Sequence, residues 1–275
     1  MDNIETFLNL ERIEENIFRG ESHDLHTGQV YGGQVLGQAL IAAQLTVEKD
    51  RSAHSVHAYF LRKGDVNAPI VYEVDRSRDG RTFGARRVVA IQHGRPIFTL
   101  SASFQFPEKG LDFESKMELP TLPDSASLPS ELKDASDSKV GRVSPVQYFD
   151  IRKVDGPKGD NALKWWLKVK DPLPDDPSLH RAVMAYLSDF GLLGSALIPH
   201  GLMAGHRKDV KLKIAMASID HAIWYHRAFR TDEWLFYQCE AISTSGARGL
   251  SRGSIYSEDG ALVATTIQEG LIRPI

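Results

Sequence analysis

The chain has 275 residues, of which 42% are hydrophobic and 25% are charged, and its formal net charge is −3. This composition is typical of a globular protein with one large domain or two ordinary ones, and its weakly acidic balance argues against nucleic acid or an anionic membrane surface as the partner. Cys239 is the single cysteine. It excludes an internal disulfide, argues against a cysteine-based zinc site and fits a reducing compartment.

The first half of the chain predicts one helix followed by four strands. Apolar residues are spread at helical spacing over residues 33–44. Alternation of apolar and polar residues then predicts strands at 55–62, 70–76, 82–92 and 96–106.

A linker is predicted at residues 107–145. Five prolines and many serine, aspartate and glutamate residues occur there, with few apolar residues between them. Such a composition interrupts regular structure and gives little that could be buried.

The second half predicts the same order of elements. Apolar residues that step by four and three predict one continuous helix over 179–197. Strands are predicted to follow at 218–227, 234–244, 248–256 and 261–272.

Short sequence matches recur at equivalent places in the two halves. The string that begins at His57 resembles the string at His221, and a Gly-Ala-Arg tripeptide begins at Gly84 and again at Gly246. The separations from histidine to glycine are 27 and 25 residues. Common order and near-equal spacing predict a tandem duplication.

The duplication predicts an α+β double hotdog, in which two tandem units each wrap an antiparallel sheet around a central helix. The N-terminal unit is assigned to residues 1–106, and the C-terminal unit to residues 146–275. Pairing the two units edge to edge would cover exposed strand edges.

Asp189 is the most informative candidate for chemistry. If residues 179–197 are one helix, its nearest neighbours on the helix surface are all apolar or aromatic: Ala182, Ala185, Tyr186, Leu192, Leu193 and Ala196. Burial of a carboxylate on such a face costs free energy, so it points to a function for that carboxylate. The alternative is a structural aspartate that is bonded to the backbone or an arginine, or that caps the helix near Gly191 and Gly194.

Ser218 and Gln268 are weak candidates when each is taken alone, because a polar side chain on a strand usually just makes ordinary hydrogen bonds and has no further role. Together with Asp189 they would suit hydrolysis. A carboxylate can take a proton from water, and a hydroxyl and an amide can hold that water in place.

Two other patterns are interpreted as coincidental. Residues 249–253 fit the Gly-x-Ser-x-Gly pattern, but they lie within a predicted strand and not at a strand-to-helix turn. Asp220 and His221 are adjacent, so on a strand they point to opposite faces and cannot act as a relay at one site. We interpret both residues as structural or as lining a pocket.

Arginines at the ends of the repeated strands are candidates for binding the phosphates of an anionic substrate. The alternative is ordinary solvated arginine side chains on strands. The candidates are Arg86, Arg87, Arg248 and Arg252, with Arg62-Lys63 beside them.

Several strings together resemble the acyl-CoA thioesterase II family. They are residues 18–20 (FRG), 29–39 (QVYGGQVLGQA), 54–62 (HSVHAYFLR), 218–221 (SIDH) and 268–270 (QEG). The resemblance spans residues 8 to 273 apart from the linker. It implies a double-hotdog enzyme that hydrolyses medium- to long-chain fatty acyl-CoA to free fatty acid and CoA, without a cofactor or a metal.

The resemblance also implies the roles of individual residues. Asp189, Ser218 and Gln268 match the family's catalytic positions and would together activate a water molecule, without an acyl-enzyme. Backbone N–H groups around Gly33, at the start of the first helix, would stabilise the oxyanion. Homodimers or homotetramers are usual in the family.

The number of sites per chain follows from the duplication. His54 and Gln105 occupy the positions equivalent to Ser218 and Gln268, but residues 33–44 contain no acidic counterpart of Asp189. We therefore expect one working site per chain.

Two alternative functions remain open. A hotdog hydratase acting on enoyl-CoA would need an aspartate and a histidine that converge on one site. A non-catalytic acyl-CoA binding module would bind its ligand without turnover.

We expect a cytoplasmic protein, with an organelle as the open alternative, because neither of two common targeting signals is recognised in the sequence. The start of the chain is acidic and lacks the basic-then-apolar order of a signal peptide, and the last residues are not of the Ser-Lys-Leu kind. No stretch approaches 18 consecutive apolar residues, so no membrane span is expected.

Overall fold

A computed structural model describes residues 3–25, 28–114, 116–124, 147–156, 160–202 and 213–275. Residues 125–145 of the predicted linker lie outside this part. The helices are α1 Ile4–Leu8, α2 Gly32–Gln44 and α3 Pro177–Ser188, with a 3-10 helix at Leu193–His200. The strands are β1 Glu11–Glu14, β2 Ile17–Gly20, β3 Ser52–Phe60, β4 Ile70–Asp79, β5 Phe83–Gln92, β6 Arg95–Gln105, β7 Phe149–Lys153, β8 Ala162–Val169, β9 Ile214–Ser218, β10 Asp220–Tyr225, β11 Leu235–Ser245, β12 Arg248–Ser257 and β13 Leu262–Pro274.

The strands pair antiparallel in the order β1-β2-β4-β5-β6-β3-β10-β13-β12-β11-β8-β7, and β9 pairs with the outer part of β13. The order β2-β4-β5-β6-β3 in the first half is mirrored by β10-β13-β12-β11-β8 in the second half. Each half contributes one long helix, α2 or α3. The predicted α+β double hotdog is therefore confirmed.

The two halves join where β3 pairs with β10. His57 lies opposite Ala222, and His221 lies opposite Ala58. The same His-Ala dipeptide from each half thus pairs antiparallel with its own repeat, which places a local two-fold axis between the two strands. The sheet edges that each half would otherwise expose here are paired with each other.

The helices α2 and α3 pack against each other in the middle of the molecule. Small residues allow this close approach, since a Cβ added to Gly37 of α2 would lie 3.0 Å from the carbonyl oxygen of Ala182 in α3. The apolar side chains of α2 are also buried, and Leu36 and Leu40 are at most 2% exposed. Complete burial of each such leucine is worth about 1.5–3 kcal/mol, so this face fixes the helix in the core.

The second long helix is shorter than the sequence predicts. It ends at Ser188, and the chain continues as a 3-10 helix from Leu193. Gly191 causes the break: its φ is +73°, and a Cβ there would lie 2.6 Å from the Trp165 ring. The prediction of one continuous helix over 179–197 was wrong. As a consequence, Asp189 lies at the C-cap of α3 and not in the middle of a helix face.

The stretch Pro177–His200, which contains α3 and the 3-10 helix, is long and apolar enough to cross a membrane by length and composition alone. Of its most apolar window, 67% is buried inside the structure. The stretch therefore belongs to the packed core of the protein.

Candidate active site

Asp189 lies where the end of one helix meets the start of the other. It is the C-cap of α3, and its side chain is only 7% exposed. The carboxylate accepts a hydrogen bond from the backbone N–H of Gly33, in the first turn of α2. A Cβ added to the preceding Gly32 would lie 2.7 Å from Asp189 Oδ2. The two glycines therefore let the helix start approach the carboxylate closely.

Gln268 joins Asp189 to Ser218. Its side chain is fully buried in β13, and its Nε2 donates to Asp189 Oδ1 at 2.6 Å and to Ser218 Oγ at 3.1 Å. Ser218 is brought there by β9, in which it lies opposite Gly270 of β13. The three side chains that the sequence singles out thus meet around one amide nitrogen.

Burial makes Asp189 an unusually strong base for a carboxylate. Desolvation raises the pKa of Asp189 from 3.8 to about 6, against the lowering effect of the hydrogen bonds from Gln268 and Gly33. The nearby phenols of Tyr31, Tyr186 and Tyr237 have pKa values raised well above 10 by burial, so they remain neutral. A group with a pKa near 6 is ionised at neutral pH and still has appreciable proton affinity, as a general base requires.

A cavity of about 510 Å³ opens onto this cluster. Asp189, Ser218 and Gly32 contribute polar groups to its lining, and the exposed side chains of Arg62 and Lys63 also line it. Much of the remaining lining is apolar: Val30, Val35, Phe60, Ile97, Phe98, Leu193 and Met216. The cavity therefore offers apolar walls, polar groups for chemistry and two cations.

His221, which is interpreted from the sequence as structural or as lining a pocket, is a neighbour of Asp189. It is fully buried, its Nε2 lies 2.9 Å from Ser188 Oγ, and its Nδ1 lies 3.9 Å from Asp189 Oδ1. Burial lowers the pKa of His221 to about 3, so the ring is neutral. Asp220 points the other way, and its Oδ1 accepts from the Glu269 N–H at 2.6 Å. The alternation of strand β10 predicted this opposite placement, but not what the buried ring would meet.

The four predicted arginines lie elsewhere, and none is among the described residues that line the cavity. Arg86 is 1% exposed, and its guanidinium donates to Thr46, Arg78 and Asp79, so it holds together a loop and a strand. The other three are more exposed and face carboxylates on neighbouring strands. The facing pairs are Arg87 with Asp75, Arg248 with Glu269 at 2.8 Å and Arg252 with Glu240 at 2.7 Å.

Gly33 is part of the site, but its N–H already donates to the carboxylate of Asp189. A side chain at Gly33 would overlap the carbonyl oxygen of Tyr186 and the ring of Tyr31, so the helix start leaves no room for one. The anion-stabilising role expected for N–H groups around Gly33 stays a prediction.

A second cavity, of about 640 Å³, lies at the equivalent place in the repeat. His54 and Gln105 line it, together with Pro177 at the start of α3. His54 is bonded to Ser103 Oγ, and Gln105 is bonded to Glu108. The C-cap of α2, which corresponds to Asp189, is Leu45. The second cavity thus has no carboxylate at that position.

The serine of the Gly-x-Ser-x-Gly pattern does not form a nucleophile elbow. Ser251 is fully buried in the middle of β12, opposite Gln268 of β13, and it is hydrogen-bonded to Ser195. An elbow would expose the serine at a sharp strand-to-helix turn.

Comparison with known proteins identifies the family. A family model described as acyl-CoA thioesterase matches residues 144–271, and one described as acyl-CoA thioesterase N-terminal domain matches residues 22–105. Acyl-CoA thioesterase 2 of Haemophilus influenzae is 38% identical, over 99% of this chain and 98% of that protein. A solved acyl-CoA thioesterase II from Mycobacterium marinum has a TM-score of 0.81 at 38% identity, over 99% of this chain and 97% of that one. A hot dog protein of unknown function from Alicyclobacillus acidocaldarius, 18% identical with a TM-score of 0.76 over 98% and 97% of the chains, shares the fold.

The fold, the two tandem matches and the identity over nearly the whole chain agree with one another. The chain belongs to the acyl-CoA thioesterase II family and is a thioester hydrolase. The resemblance seen in the sequence motifs is thereby confirmed.

Proposed function

We propose that the chain hydrolyses medium- to long-chain fatty acyl-CoA to free fatty acid and CoA by direct attack of a water molecule that Asp189 deprotonates. One observation carries the proposal: the Gln268 amide links the buried Asp189 carboxylate to the Ser218 hydroxyl at the wall of a largely apolar cavity. The apolar walls fit an acyl chain, and the polar cluster fits the thioester group.

The hydrogen bonds suggest how the water is held. Ser218 Oγ accepts from Gln268, so its own proton remains available to donate to the water. Asp189 accepts a hydrogen bond from the same water molecule. It takes that proton as the water oxygen attacks the carbonyl carbon of the thioester. The C–S bond then breaks, and the proton passes from Asp189 to the departing CoA thiolate. The product leaves as the carboxylic acid and then loses its remaining proton to solvent, and no acyl-enzyme forms.

The oxyanion is assigned to the start of α2. The N–H of Gly33 is used by Asp189, whereas Gly32 is the first residue of the helix and lines the cavity. Its N–H has no intrahelical partner at that position, and the helix dipole favours negative charge there. We therefore assign the developing thioester oxyanion to the Gly32 N–H.

The CoA phosphates are assigned to Arg62 and Lys63. Both side chains are exposed and line the cavity, unlike the four arginines that the sequence suggested. Exposed cations near the entrance can pair with phosphate groups in solvent while the acyl chain enters the apolar part.

Further assignments from the sequence also remain proposals. We propose from the sequence two units at residues 1–106 and 146–275, one working site per chain, a homodimer or homotetramer, and a cytoplasmic location. The C-cap of α2 supports a single working site, because Leu45 at that position carries no carboxylate, unlike Asp189 at the C-cap of α3.

The enoyl-CoA hydratase alternative has one observation in its favour, the 3.9 Å separation of His221 and Asp189. However, His221 has no exposed surface and is bonded to Ser188, so it cannot contact a substrate in the cavity. Assay of crotonyl-CoA hydration separates the two reactions, since a hydrolase releases thiol and a hydratase consumes the double bond.

The proposal is tested with Asp189→Asn, which keeps the size of the side chain and removes the base. Thiol release from a series of acyl-CoA chain lengths is expected to fall by about 10²–10⁴-fold, the usual contribution of a general base. The matched control is Asp175→Asn, whose carboxylate is 96% exposed just before α3, and its rate should equal the wild-type rate. Near wild-type hydrolysis by Asp189→Asn would overturn the proposal.

The direct attack of water is tested separately by a single turnover in water enriched in heavy oxygen. The label should appear in the fatty acid and not in Asp189. Label in the Asp189 carboxylate would show that an acyl-enzyme formed on that side chain.

A further inference from the structure

The hydrogen bonds around Ser188 fix the tautomer of the buried His221. Ser188 Oγ donates its single proton to the carbonyl oxygen of Ala185 at 2.9 Å, within helix α3. The same oxygen lies 2.9 Å from His221 Nε2. Since the hydroxyl proton is already used, His221 Nε2 must carry the hydrogen and donate it to Ser188. The other ring nitrogen, Nδ1, then carries a lone pair and no proton.

That lone pair faces the carboxylate of Asp189. His221 Nδ1 lies 3.9 Å from Asp189 Oδ1, and it is completely buried with no hydrogen-bond partner among the described residues. Two acceptors that face each other in a buried site repel when the carboxylate is ionised. Protonation of Asp189 relieves that repulsion, so the Nδ1 lone pair favours the protonated form of Asp189.

Burial is the main cause that raises the pKa of Asp189, and the other polar groups around the carboxylate do not add to that rise. The phenols of Tyr31, Tyr186 and Tyr237 stay neutral, and the amide of Gln268 and the N–H of Gly33 donate to the carboxylate and therefore favour its ionised form. The cations that line the cavity, Arg62 and Lys63, are exposed and solvated. His221 is thus the facing polar group that opposes these two donors.

We propose that His221 is a positioning residue for the hydrolysis: held by Ser188 as the Nε2–H tautomer, it presents its Nδ1 lone pair to Asp189 and keeps that carboxylate basic. It never touches substrate. Its role lies in the step in which Asp189 receives the proton of the attacking water, because protonation of the carboxylate removes its repulsion with the Nδ1 lone pair. The inference rests on the proposed role of Asp189 as the base.

The decisive measurement is the acidic limb of the pH profile of kcat/KM for a good acyl-CoA substrate. His221→Gln places an amide near the position of Nε2, where it can still donate to Ser188, and removes the acceptor at Nδ1. The limb is expected to move to lower pH by about one unit, the size of one lost interaction with a charged group. The plateau rate should fall by at most about tenfold, because a weaker base is a slower one, and KM should not change.

Ser188→Ala gives an independent second variant that removes no group near the substrate. Without the serine oxygen to accept from Nε2, the ring can carry its proton on Nδ1 and donate to the carboxylate. This variant should therefore also move the acidic limb to lower pH.

The matched control is His180→Gln. His180 is a buried histidine bonded to Thr231 at the other end of α3, so loss of this ring should leave the limb where it is. The proposal is overturned if both His221→Gln and Ser188→Ala keep the wild-type limb, or if their limbs move to higher pH. Those outcomes would leave the assignment of Asp189 intact, whereas an active Asp189→Asn would overturn the assignment of the base itself.

Discussion

Asp189→Asn should stabilise the protein at alkaline pH while it destroys activity. Burial raises the pKa of Asp189 from 3.8 to about 6, so ionisation of this carboxyl is less favourable in the folded protein than in the unfolded chain. A carboxyl whose folded pKa is raised contributes stability below its unfolded pKa, and that contribution is lost as the pH rises through the folded pKa. Above pH 6 the ionised Asp189 is therefore a net cost to folding.

The size of this cost follows from the shift. A difference of about 2 pKa units corresponds to about 3 kcal/mol at pH 8, since one unit is worth about 1.4 kcal/mol. In a chain of this size each kcal/mol moves Tm by about 2–4 °C, so the gain is at most roughly 6–12 °C. An asparagine is neutral at every pH and keeps one oxygen that can accept from Gln268. It provides no second oxygen, so part of the gain is offset if the Gly33 N–H is left unpaired.

Thermal melts of both proteins between pH 8 and pH 5 test this reasoning. Asp189→Asn should melt higher at pH 8, and the gap should shrink to about half at pH 5, where the wild-type carboxyl becomes protonated on folding. Asp175→Asn should show no gap at either pH, because that side chain is 96% exposed. The reasoning is refuted if the wild type is as stable as Asp189→Asn at pH 8, or if the difference between their melting temperatures does not change with pH. Either result would show that burial does not destabilise the ionised form of Asp189.

Two further substitutions test the geometry of the site. Gln268→Leu removes the amide that donates to Asp189 at 2.6 Å and lowers the pKa of that carboxyl. The acidic limb of the kcat/KM profile should therefore move to higher pH, in the direction opposite to that expected for His221→Gln. A limb that does not move would contradict the hydrogen bond between Gln268 and Asp189. Gly32→Ala places a methyl group 2.7 Å from Asp189 Oδ2 and 2.9 Å from the Phe60 ring, and it should lower kcat by about 10-fold or more, because a displacement of the base of a few tenths of an ångström is enough to spoil its alignment. Gly110→Ala, where a Cβ would meet nothing within 4 Å, is its control and should keep full activity.

The sequence predicts the core of the fold well and its edges poorly. Strands such as β5 and β6 alternate cleanly and pair along their whole length, so residues 82–92 and 96–106 were recognised within one residue at each end. The short strands β1 and β2 were missed because each has four residues, too few to show a period. Strand β2 depends on pairing with β4, and β1 on pairing with β2, contacts that local propensity does not encode.

The candidate site shows a similar division. The apolar residues around Asp189 in the sequence predicted that burial of its carboxylate costs free energy. Its partner Gln268 is 79 residues away, however, and only the family resemblance connected the two residues. Charge alone cannot separate Arg86, which is buried in a structural network, from Arg62, which lines the cavity. Both are arginines near strand ends in the sequence. Which one faces a ligand is decided by tertiary packing.

The joint between β3 and β10 makes the chain function as a covalently tethered heterodimer. The first half supplies the helix start at Gly32, and the second half supplies Asp189, Ser218 and Gln268. Neither half could be expressed alone with a complete cavity, since each would lack the element that the other brings across the local two-fold axis. Tethering also ensures that the two copies meet at a fixed ratio.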